Sequence, residues 1–135
     1  MRTARTTLTT AATSTLLALL ALTACGDSQS ESEKTAEQFR QAVIEGDGET
    51  FCSLVAVDGK PVTENDQALE TCVDMSDTIE VLEGDERKEA EESLADGPTK
   101  AEENGDEALV VYGKGDDAVD INLVRIDGDW FVTLV

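Results

Sequence analysis

Apolar residues follow two different periods along this chain, and the change of period divides it. Ala36, Phe39 and Val43 recur at i, i+3 and i+7, with Lys34, Glu37, Arg40 and Glu45 on the other faces. That spacing predicts a helix from about residue 32, with Gly46 as its C-terminal cap. Asp47 fits the N-cap of a second, short helix over 48–55, whose Phe51, Leu54 and Val55 make an apolar face around Cys52. Asp58-Gly59 and Lys60-Pro61 break it. Thr63 with Asp66 three residues on resembles a capping box and opens a third helix, with Leu69, Cys72 and Val73 on one face. Ile79, Val81 and Leu82 fit either a continued helix or a short strand. Residues 85–95 are rich in strong helix formers and charges, which predicts a fourth, largely exposed helix ending at Asp96-Gly97-Pro98.

Beyond Pro98 the period is two. Strands are predicted over 99–103 and 107–112, joined by Asn104-Gly105-Asp106, then over 118–126 and 129–135, joined by Asp127-Gly128. Val119, Ile121 and Leu123 point one way, and Asp120, Asn122 and Val124 the other. Trp130, Val132 and Leu134 likewise oppose Phe131 and Thr133. Helices followed by an antiparallel meander predict an α+β domain with helices on one face of the sheet.

The N-terminal segment follows neither period. It carries Arg2 and Arg5 and no acid, then residues 16–22 of Leu and Ala alone, then small residues leading to Cys25. These are the parts of a secretory signal. The run Leu22-Thr23-Ala24-Cys25 resembles the lipobox of bacterial lipoproteins. The resemblance implies cleavage before Cys25 and diacylation of its sulfur, holding the chain on the extracytoplasmic face of the cell membrane. An uncleaved span is disfavoured, since an apolar core of roughly 12 residues is short of the ~20 a bilayer needs. The expected organisation is a signal peptide over 1–24, a lipidated cysteine with a flexible polar tether over 25–33, and one domain over 34–135.

Charge narrows the partners. The chain has 30 acids against 10 basic residues, a net charge of −20. Loss of Arg2 and Arg5 with the signal takes this to −22. Nucleic acid and anionic lipid surfaces are repelled by such a body, so attachment falls to the acyl chains. Three cysteines are present. With Cys25 lipidated, Cys52 and Cys72 remain as a pair, and outside the membrane a disulfide between them is the simplest state.

Catalytic chemistry has little to draw on. The chain contains no histidine, which removes the usual general base at neutral pH and the commonest metal ligand. A reactive or metal-binding role for Cys52 and Cys72 finds no CxxC spacing to support it. Acids in the turns at 104–106, 116–117 and 127–129 lack the spacing and closing Glu of a calcium loop. Neither metal nor cofactor is expected.

The element order, the paired cysteines and the ending Leu123-Val124-Arg125-Ile126-Asp127-Gly128-Asp129-Trp130-Phe131-Val132 resemble exported bacterial lipoproteins of the nuclear transport factor-like, or cystatin-like, cone fold. The resemblance covers about residues 32–135. It implies helices packed on a curved sheet whose concave face can form a pocket, here with Tyr112, Asp120, Asn122 and Trp130 as candidate lining residues. Related cone-fold isomerases use a pocket carboxylate and a tyrosine, which makes Asp120 the candidate acid of an enzymatic alternative. The leading expectation is a non-enzymatic, membrane-anchored domain binding a small molecule or a protein through the concave face. A structural partner of a cell-envelope complex is the third reading.

Overall fold

Ser30 sets where the domain begins. Its side chain accepts the Glu33 amide hydrogen, and the Glu33 carboxylate accepts the Ser30 amide hydrogen, closing a capping box. The computed structural model describes residues 28–78 and 81–134. The signal segment, Cys25, the start of the tether and Ile79 lie outside the described residues. Helix α1 runs Glu31–Glu45, so Glu31, Ser32 and Glu33 belong to the domain rather than to the tether. Composition alone assigns them to the tether because they are polar, yet Ser32 is fully buried and donates its hydroxyl to Glu103. Gly46 ends α1 in the left-handed conformation.

Asp47 caps α2 (Gly48–Ser53) by accepting the Thr50 amide hydrogen. The helix stops two residues short of Val55, because Val55–Val57 form strand β1. Asp58 and Gly59 then take positive φ angles of 51° and 73° in a two-residue turn to β2 (Lys60–Pro61). That pattern suits a tight hairpin rather than a simple break. A single 3-10 turn at Val62–Glu64 follows, and Asn65, not Thr63, caps α3 (Asp66–Ser76) by accepting the Gln67 and Ala68 amide hydrogens. Helix α4 spans Gly84–Asp96.

Four further strands complete the chain: β3 (Lys100–Asn104), β4 (Glu107–Tyr112), β5 (Val119–Ile126) and β6 (Asp129–Thr133). They form the antiparallel meander expected from the period-two alternation. The β3–β4 turn is shifted by one residue, with Asn104 paired to Glu107 and Gly105-Asp106 as the loop. Strand β1 adds parallel to β6, giving a six-stranded mixed sheet in the order β2-β1-β6-β5-β4-β3. The fold is α+β.

The core lies on one face of this sheet. Ala108, Val110 and Tyr112 of β4, Ile121 and Leu123 of β5, and Trp130 and Val132 of β6 are buried together beneath Ala36 of α1. Phe39 and Leu94 pack at the edge of that cluster. The far face of β4, β5 and β6 carries half-buried Leu109, Val111, Val124 and Phe131 among exposed polar residues.

Candidate functional site

The four residues expected to line a concave pocket do not share one face. Val119 pairs with Tyr112, whereas Asp120 pairs with Val111 and Asn122 with Leu109. Successive side chains of a strand point to opposite faces. Tyr112 and Trp130 therefore lie in the core, 1% and 7% exposed. Asp120 and Asn122 are exposed on the other face. Asp120 is not a buried pocket acid, and the expected pocket of four is corrected to two core aromatics and two solvated polar residues.

On the inner face, α1 supplies the cover and the charges. The Arg40 guanidinium sits 4.9 Å from the centre of the Tyr112 ring. Burial pushes the Tyr112 phenol up to about 12, with Glu37 adding to the shift and Arg40 opposing it. Burial also lowers the Arg40 guanidinium from its ordinary value. The Tyr112 hydroxyl is buried with no hydrogen-bond partner among the described residues, and its ring lies in the buried cluster with Ala36 of α1. At the other end Arg125 covers Trp130, 5.3 Å from the ring centre, and donates to Asp106 Oδ1 at 2.9 and 3.1 Å.

No family model, curated protein or solved structure matches the chain.

Two features bear on the site. Cys52 and Cys72 form the expected disulfide, with Cα atoms 5.9 Å apart, joining α2 to α3. Beside this staple, where α1, α2 and α3 converge, lies a cleft of about 130 Å³. Val43, Phe51 and Val81 contribute apolar walls, and Asp47 and Asp77 stand among its polar lining residues. The Phe51 ring packs against Phe39, with centroids 4.9 Å apart. The Asp47 carboxyl is held below the usual carboxylate range by hydrogen bonds from the Thr50 amide and hydroxyl.

This cleft was not evident from the sequence. The available signal was the pair Gly46 and Gly48 around Asp47. A Cβ at Gly48 would fall 1.9 Å from the Ser76 hydroxyl oxygen, and one at Gly46 would fall 3.2 Å from a Val81 methyl. Small residues there let the end of α3 and Val81 approach the α1–α2 corner. Broader depressions flank α1, one lined largely by polar side chains such as Lys34, Gln38 and Gln41, another bordered by Trp130 and Phe131. Among the described residues, no helix is long and apolar enough to cross a membrane.

Proposed function

We propose that this chain is a lipid-anchored, extracytoplasmic, non-enzymatic interaction domain that meets another protein through its surface rather than enclosing a small molecule. One observation carries the choice between protein and cargo. The sheet face that would line a concave pocket is filled by Tyr112, Trp130 and their neighbours under α1. A carrier that enclosed its cargo between α1 and the sheet would need that space open. Within the cone-fold class that the sequence resembles, the reading is an interaction module.

The anchor rests on the signal anatomy and on Leu22-Thr23-Ala24-Cys25. A body with so large a negative charge has no electrostatic hold on an anionic bilayer, so two acyl chains on Cys25 supply the attachment. The cysteine pair fits an oxidising compartment. Asp120 is exposed on the solvated face of the sheet, away from the buried Tyr112, which does not favour the enzymatic alternative.

Membrane fractionation of the wild type and of Cys25→Ser tests the reading. The wild type is expected in the membrane fraction, with a diacylglyceryl mass on Cys25. The variant is expected in the medium or unprocessed. Normal cleavage with unchanged membrane retention in the variant would refute the lipid anchor.

A further inference from the structure

The cleft beside the disulfide is a site in search of an occupant, and its size decides what class that is. At about 130 Å³ it lies below the range of drug-sized ligand sites, and close to the ~150 Å³ dry cavity that takes a benzene. It holds one medium apolar group. A protein partner offers such groups singly, as side chains on a larger surface.

Chemistry then narrows the partner. The walls contributed by Val43, Phe51 and Val81 suit an aliphatic side chain. Val81 is about half exposed, leaving apolar surface at the mouth for an incoming group to cover. Asp47 and Asp77 flank those walls. The Thr50 amide and hydroxyl donate to Asp47, which favours its charged form. Two carboxylates on a chain of net charge −20 repel acidic segments and draw basic ones, adding to encounter rate and to partner choice.

The site is also pre-shaped. The glycines at 46 and 48 leave room for Val81 and Ser76 to lie close against the corner. The Cys52–Cys72 bond prevents α2 and α3 from separating. A concavity that exists before binding loses less ordering entropy when filled.

The geometry points to this cleft as the docking point for a protein partner that inserts one aliphatic side chain flanked by lysine or arginine. The inference deepens the interaction-domain reading and rests on it.

Methyl and amide NMR of the mature protein in detergent micelles tests it with three capped tripeptides: acetyl-Lys-Leu-Lys-amide, acetyl-Lys-Gly-Lys-amide and acetyl-Glu-Leu-Glu-amide. The expected result is saturable shifts of the Val43 and Val81 methyls and the Gly46 and Gly48 amides with the first peptide. Removing the leucine side chain should weaken binding by about tenfold or more, the scale set by burying one leucine, and inverting the charge by about twofold to fivefold, the scale of an exposed ion pair. Asp77 is exposed, so Asp77→Lys should fold normally and weaken the first peptide by about twofold to fivefold. The wild-type comparison of the three peptides stands even if that variant does not fold. No saturable shift at these positions, an equal response to the acidic peptide, or shifts centred on Leu109 and Phe131 would overturn the assignment. A bound small-molecule mass on the protein would overturn the interaction-domain reading itself, whereas a bare chain that ignores all three peptides overturns only the cleft.

Discussion

Arg40 lies over the ring of Tyr112, 4.9 Å from its centre, while the hydroxyl of that same ring is buried without a partner among the described residues. The cation engages the aromatic face, but the phenol oxygen forgoes the hydrogen bonds it would make in water. Such a group normally has a partner, because leaving it unmade costs about 1–3 kcal/mol. Tyr112→Phe removes the unsatisfied oxygen and keeps the ring. We expect it to be neutral or stabilising by up to about 1 kcal/mol in urea unfolding. A clear loss of stability would mean that the hydroxyl is bonded in solution.

The same residue gives a pH signature. Its phenol titrates near 12 in the fold and near 10 in the unfolded chain. Between these values the native state holds a proton that the unfolded chain releases. The contribution is therefore complete below about pH 10 and is lost as pH rises toward 12, at up to about 1.4 kcal/mol per pH unit. Tyr112→Phe should flatten that part of the stability profile. An unchanged slope in the variant would assign the loss to other groups.

The two faces of the sheet predict opposite mutational outcomes. Trp130 is 7% exposed in the core, so Trp130→Ala should cost about 3–5 kcal/mol. Asp120 is exposed on the other face, so Asp120→Asn should stay within about 0.5 kcal/mol of wild type. Chemical denaturation of both variants checks the assignment, and a strongly shifted Asp120→Asn would contradict the register.

Acid should act partly through the contact between α1 and β3. The Glu103 carboxyl is held below its usual range chiefly because the Ser32 hydroxyl donates to it. A depressed carboxyl contributes stability above its unfolded value, and that contribution is lost as pH falls through the folded one. Glu103→Gln should make stability less sensitive to acid in that window. At the helix start, Ser30→Ala removes the cap and should cost about 1 kcal/mol. Equal acid sensitivity in Glu103→Gln and wild type would remove Glu103 from the account.

Reduction of Cys52–Cys72 opens a link between residues 20 apart in sequence. The chain-entropy estimate for such a loop is about 3 kcal/mol. A dithiothreitol-treated sample should unfold at correspondingly lower urea, and the double variant Cys52→Ala, Cys72→Ala should match it. No difference between oxidised and reduced protein would show that α2 and α3 hold together without the bond.

What the sequence made legible was local. Helix α1 and strands β3 to β6 announce themselves through period, and α4 through its strong helix formers, with Gly46, Gly97 and Asp127-Gly128 marking ends and turns; all lie near the expected positions. Strand β1 was hidden because Val55 continues the apolar run of α2, and its partner β6 lies far along the chain, in a parallel pairing that no neighbouring turn signals. The Asp58-Gly59 turn was visible, but the strands it joins are too short to show alternation. Strand parity places Asp120 and Asn122 opposite Ile121, but parity within β5 does not say on which face Tyr112 and Trp130 lie. Pairing with β4 settles the faces, and pairing is a property of two segments. The cleft could not be read from any one segment, since it needs Val43, Phe51 and Val81 brought together from three parts of the chain.

The central claim is that this domain meets a protein and carries no enclosed cargo. Native mass spectrometry of the mature protein, purified from cells that export it, tests that most directly. The account predicts the mass of the lipidated chain alone, lighter than its reduced form by the two thiol hydrogens of Cys52 and Cys72. A reproducible additional mass of a few hundred daltons, removed on unfolding, would contradict it and make the protein a ligand carrier.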